Sequence, residues 1–162
     1  SNSEAPITEF LLIGGKRVDG SSRIEVRNPA RPDELVGTIV RGTPEHVDRA
    51  VAAAKAAQPA WAALSFTQRA DVLRKALSRL EADIDRRAAV FVRENGKPLA
   101  QARGELASVP RRQQTALDYA PQFDAERKYA AANGRTFVFS RPYGVVVSIV
   151  PWNSPDVLAF TQ

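Results

Sequence analysis

Pro151-Trp152-Asn153-Ser154-Pro155 sets one neutral carboxamide between two prolines. Proline fixes its own φ and biases the residue before it toward extended backbone, so Pro151 constrains Val150 and Pro155 constrains Ser154. The Trp-Asn pair is therefore predicted in a stiff turn. An amide held there donates hydrogen bonds without ionising, which suits a site where negative charge develops on an oxygen during reaction. In open α/β sheets ligands bind beyond the carboxyl ends of strands, and Asn153 directly follows an apolar run that reads as such a strand. Asn is equally a favoured helix N-cap, and Pro155 could open the helix it caps. Spacing alone leaves both roles open.

Few other residues offer chemistry. The chain has no cysteine, which rules out a disulfide framework, a thiolate metal site and a thiol nucleophile within these 162 residues. His46, the sole histidine, falls in the first turn of a predicted helix, and a lone histidine makes no metal site. No metal-binding residues are predicted. Glu94, Gly96 and Lys97 in "RENGKP" read mainly as a helix terminus with its charge complement. Glu105 and Glu126 are given no role as a general base.

The elements that must position the amide are legible in part. "EFLLIGGKRVDG" predicts a hairpin about Gly14-Gly15, and "RIEVRNPA" a strand ending at Asn28-Pro29. Thr43 and Pro44 predict a helix start, with Val47, Ala50, Val51, Ala54 and Ala57 at helical spacing up to Pro59. Ser65 and Gln68 have capping-box spacing, followed by a face of Phe66, Ala70, Leu73, Leu77, Leu80 and Ile84 in a helical reading that continues through Phe91. Gly96 then suits a left-handed helix end and Pro98 a new helix start. Leu99, Ala102, Leu106, Val109, Gln113, Ala116 and Ala120 mark a further helix that Pro110 should kink or divide. After a polar connection, an Asn133-Gly134 turn leads into an alternating strand "TFVFS". Val145–Val150, apolar on both alternating faces, reads as a strand covered on both sides, as in a parallel sheet that lacks its neighbours in this chain.

Composition narrows the classes. With 44% hydrophobic and 25% charged residues the chain fits one globular domain, and no apolar run approaches the ~20 residues a membrane span requires. Residues 1–9 are expected as a flexible lead. A net charge of +5 raises nucleic-acid binding, but Arg86-Arg87 and Arg111-Arg112 lie among acids and glutamines on helical segments without aromatic interleaving, so neither nucleic acid nor membrane is expected as a partner.

"RPYGVVVSIVPWNSP" resembles the segment leading into the Pro-Trp-Asn motif of the aldehyde dehydrogenase family. "IGGKRVDG", "VRNPA", "AVAAAKAAQPAW", "RADVLRKALSRLE" and "ENGKPLAQARGE" are similar to that family's N-terminal portion in the same order. The resemblance implies an α/β fold, mainly helical here, with an N-terminal hairpin and an incomplete Rossmann-like sheet. Residues 10–162 would form part of the cofactor-binding region, with 135–142 an oligomerisation or bridging strand. It implies an enzyme that oxidises an aldehyde to a carboxylic acid with NAD or NADP, cytoplasmic and homo-oligomeric. Asn153 is implied as the oxyanion-hole amide, and Ile149, Val150, Pro151 and Trp152 as the strand end bordering the dinucleotide, the alternative for those four being core packing. The nucleophilic cysteine and general-base glutamate regions match nothing in this chain, so the segment alone is expected to be inactive. Ser154 and Asp156 depart from the usual apolar residues. The alternative function is a non-catalytic helical module that pairs with a partner chain through an exposed strand edge.

Overall fold

The computed structural model describes residues 5–123 and 125–160. Strands come first: β1 (Ile7–Glu9), β2 (Leu11–Ile13), β3 (Lys16–Val18), β4 (Arg23–Asn28) and β5 (Arg31–Val40). β2 and β3 form the expected hairpin. β4 pairs antiparallel with β5, and β1 runs parallel to β5 on its other edge. Of the lead expected over residues 1–9, residues 1–4 lie outside the described residues, and Ile7–Glu9 form β1, in which Ile7 pairs with Gly37. The approach is close enough that a Cβ on Gly37 would lie 2.5 Å from the Ile7 carbonyl oxygen. Neither β1 nor β5 was anticipated, the first being too short to show a period and the second interrupted by Pro32 and Gly37. At the predicted Asn28-Pro29 turn, the buried Asn28 accepts from the Ala30 amide at 3.0 Å.

The helices obey their caps. α1 (Pro44–Ala62) starts at Thr43, whose hydroxyl accepts from the His46 amide while His46 Nδ1 accepts from the Thr43 amide at 3.2 Å. His46 therefore serves as a cap. The helix continues through Pro59, past its expected end. α2 (Phe66–Ala82) starts with the reciprocal Ser65–Gln68 bonds at 2.8 and 3.2 Å. The helical reading through Phe91 is correct in type but breaks at Asp83, where α3 (Ile84–Asn95) begins. Asp83 leaves helical geometry at ψ 14° and its carboxylate grips Arg86.

Gly96 ends α3 at φ +81°, its amide reaching the Val92 carbonyl at 2.9 Å. A Cβ there would also meet Pro29 Cγ at 3.0 Å. Gly96→Ala should therefore destabilise the fold by about 1–2 kcal/mol, from left-handed strain plus that contact. The check is a lower urea midpoint at unchanged m-value; an unchanged midpoint would show that the helix end readjusts freely.

α4 (Leu99–Asp118) is a single helix through Pro110, so of the kink or division expected there the division does not occur. Pro110 is buried together with Leu106 and Val109, and burial of that face offsets the roughly 3 kcal/mol an interior proline costs. The core sits where α3 crosses α4: Ala88, Phe91, Ala102 and Leu106, flanked by Ile84 and Val92. Ala88 and Ala102 have no exposed surface, and their size lets the two backbones approach.

A 3-10 turn (Ala120–Phe123) leads to β6 (Arg127–Ala131) and β7 (Gly134–Val138), an antiparallel hairpin with every residue exposed. β6 falls in the stretch expected as a polar connection. Val145–Val150 correct the sequence reading more deeply, because this run forms no strand and makes no backbone pairing among the described residues. A run apolar on both alternating faces needs strands at its edges and packed layers over its faces, and Val146, Val147 and Ile149 instead face solvent at 69%, 70% and 93% exposure. α5 (Pro155–Phe160) follows and packs against α4. The whole is a mixed helix-and-sheet fold with partial sheets. No helix among the described residues is long and apolar enough to cross a membrane.

Candidate functional site

The ribbon delivers Trp152 and Asn153 to the junction of α3 and α4. Asn95, the last residue of α3, donates from Nδ2 to the Trp152 carbonyl at 3.2 Å. Beyond the Gly96 turn, Lys97 donates from Nζ to the Asn153 carbonyl at 2.8 Å and to Glu105 Oε2 at 2.5 Å. Ser154 Oγ donates to that same carboxylate oxygen at 3.3 Å. Two prolines flank this turn, and its backbone is also held by Asn95 at the end of α3 and by Lys97 in the loop that follows.

Asn153 itself is exposed, and its side-chain amide makes no hydrogen bond among the described residues. It does not cap α5. The Ser154 carbonyl accepts the Leu158 amide at 3.1 Å, placing the cap position one residue later, so the capping alternative is not realised. Ile149 and Trp152, at 93% and 78% exposure, are not packed in a core. Val150 is half-buried and Pro151 exposed. All five residues singled out by sequence thus lie on one solvent-facing ribbon and turn.

The two departures from the family pattern have polar partners. Ser154 bonds Glu105, and Asp156 pairs with Arg87 on α3, both side chains being mostly buried. The negative charge of Asp156 and, more strongly, desolvation push the Glu94 carboxyl above its ordinary value. Also on α3, Arg93 bonds Glu34 at 2.7 Å and draws that carboxyl below its usual range, with Asn28 and Arg31 assisting. That pair ties the strand layer to the helix that carries Asn95.

Sequence reading missed Asn95, Lys97 and Glu105 as parts of the site. "ENGKP" was visible, but as a helix terminus, and nothing in one dimension joins Lys97 to Asn153, 56 residues away. Among the described residues no group of three His, Cys, Asp or Glu could hold a metal ion.

The aldehyde dehydrogenase family profile matches residues 17–162. A probable aldehyde dehydrogenase of Pseudomonas sp is 36% identical over 159 residues, covering 98% of this chain and 32% of that protein. The NADP(+) succinate-semialdehyde dehydrogenase GabD of Escherichia coli K12 is 33% identical over 161 residues, covering 91% of this chain and 31% of its own length. The crystal structure of lactaldehyde dehydrogenase from Escherichia coli superposes with a TM-score of 0.90 at 28% identity, covering 98% of this chain and 34% of that one. The chain spans about a third of the length of the curated relatives it matches. Profile, sequence relatives and fold agree over the stretch that carries the clamped Trp-Asn turn: the chain belongs to the aldehyde dehydrogenase family.

Proposed function

We propose that this chain supplies the amide donor and the dinucleotide-facing ribbon of an enzyme that oxidises an aldehyde to a carboxylic acid with NAD or NADP. The observation that carries this reading is the uncommitted Asn153 amide. It sits at the end of an apolar ribbon open to solvent, on a turn whose backbone is already held by Asn95 and Lys97. A dinucleotide fits that ribbon, because Ile149 and Trp152 offer apolar surface and the backbone of Val145–Val150, unpaired among the described residues, offers donors and acceptors. When bound, the dinucleotide supplies the hydride acceptor. The NADP(+) named for the Escherichia coli relative supports that cofactor class.

This chain's own residues then have separable tasks. Ile149, Val150, Pro151 and Trp152 border the cofactor through side-chain and backbone contact. Asn153 donates its N–H to the aldehyde oxygen as that oxygen gains negative charge under nucleophilic attack. The attacking group comes from outside these residues, which contain no cysteine. Residues 135–142 serve oligomer contact, a role supported by Phe137, Val138 and Phe139 standing 48–54% exposed on and beside the hairpin.

The 162 residues alone, at a confirmed mass of 17.7 kDa, should release no reduced nicotinamide from an aldehyde and NAD or NADP. The protein carrying the rest of the family's sequence should form the carboxylic acid and reduced nicotinamide in equal amounts. Turnover by the short chain would reject this division of labour.

A further inference from the structure

The Trp-Asn turn hangs from a desolvated ion pair. Lys97 and Glu105 are only 17% and 11% exposed at the side chain, with Nζ 2.5 Å from Oε2. Lys97 also lies over the Phe91 ring, 4.7 Å from its centroid. One donor of the ammonium takes the carboxylate and another takes the Asn153 carbonyl. Glu105 in turn receives Ser154 Oγ on the oxygen that Lys97 uses, while its other oxygen is buried with no hydrogen-bond partner among the described residues. A carboxylate left half-satisfied away from water is a poor way to gain stability, since apolar residues of the same shape often do as well or better. What the arrangement does fix is direction. Asn95 closes α3 and Glu105 stands on α4, the two helices of the Ala88–Phe91–Ala102–Leu106 core, and Lys97 lies in the short loop that joins them. With the carbonyls of Trp152 and Asn153 both tethered, the Cα of Asn153 has little freedom to turn and its carboxamide is aimed from a fixed base.

We propose that Lys97 and Glu105 are positioning residues that aim the Asn153 amide, and that Ser154 couples the start of α5 to the same carboxylate. This rests on the reading of Asn153 as the oxyanion donor. Lys97 and Glu105 touch no reacting atom, and they act through the turn.

Two measurements test it. In the first, backbone amide exchange is compared between the 162-residue chain and its Lys97→Met variant. Exchange should quicken at residues 152–158 and stay unchanged at Phe91 and Leu106; equal exchange over 152–158 would overturn the positioning role whatever Asn153 does. The second is a double-substitution cycle in the aldehyde-oxidising protein. Lys97→Met should lower kcat roughly 10–100-fold with little change in KM, because a displacement near 1 Å costs about that much. In an Asn153→Ala background the same substitution should cost almost nothing, since no amide remains to be aimed. An equal loss in both backgrounds would overturn the proposal by showing that Lys97 acts elsewhere. Full activity of Asn153→Ala would instead sink the oxyanion reading, while the exchange experiment still decides the clamp. Should Lys97→Met fail to fold, Glu105→Gln carries both tests, keeping shape and acceptor but losing the charge.

Discussion

Replacing Asn153 with alanine in the aldehyde-oxidising protein is expected to lower kcat about 10²–10³-fold, or roughly 3–4 kcal/mol of barrier, with KM for the aldehyde nearly unchanged. The asymmetry follows from when the interaction matters. A neutral carbonyl oxygen gains little from the amide, whereas the tetrahedral oxyanion gains a donor already in place. Asn153→Asp should fare no better, because a carboxylate cannot donate and repels the developing charge. Stability should hold within about 0.5 kcal/mol, since Asn153 is exposed and its side chain bonds nothing among the described residues. Steady-state kinetics with a melting control separate the two quantities. A loss confined to KM would mean that the amide binds substrate and transition state alike, and would end its assignment as an oxyanion donor.

What could be read from the sequence follows from the range of the forces involved. Capping is local, so Thr43-Pro44, Ser65-Gln68 and Gly96 located three helix ends correctly. Local signals also misled. Pro59 read as a stop and Pro110 as a kink or division, yet both helices run on through them, and at Pro110 the lost hydrogen bond is outweighed by burial that local sequence does not reveal. β1 is three residues long and owes its existence to a parallel partner 30 positions away, so its pattern was invisible. The Val145–Val150 run shows the opposite failure. Its β-branched composition announces a strand correctly as a propensity, but a strand is a pairing, and the described residues hold no partner for it.

The candidate site divides along the same line. Asn153 stood out because two prolines and a strand-like run are its neighbours in sequence, although spacing left its donor and capping roles open, and the four residues before it were singled out by resemblance to the family. Asn95, Lys97 and Glu105 were not, because their meaning arises only when α3 and α4 pack and bring an ammonium and a carboxylate beneath the turn. Ser154 and Asp156 illustrate a subtler point. Read against a family pattern they looked like defects in an apolar stretch. Read against the fold, each polar side chain meets a charged partner, Glu105 for one and Arg87 for the other.

Phe91 connects that site to the stability of the whole chain, and Phe91→Ala should be the most damaging single truncation in the α3–α4 core. The ring is 3% exposed and packs with Ala88, Ala102 and Leu106, two of which are too small to close the void it would leave. Loss of transfer energy plus an uncollapsed cavity should cost about 3–5 kcal/mol, a lowering of the melting temperature by roughly 6–20 °C for a chain of this length. Folded domains have only about 5–15 kcal/mol in hand, so the variant should sit close to its unfolding threshold. A matched control is Leu99→Ala on α4, where the side chain is 44% exposed and the expected loss is a small fraction of that. Phe91 also lies beneath Lys97, and removing the ring takes away a cation–π contact of about 0.5–2 kcal/mol from the clamp. The turn should therefore loosen at temperatures where the rest of Phe91→Ala is still folded, with amide exchange at residues 152–158 rising before the global transition. Equal urea midpoints for Phe91→Ala and Leu99→Ala would mean that this ring is not the keystone of the core. A single cooperative transition with no early loosening at 152–158 would separate the clamp from the packing beneath it.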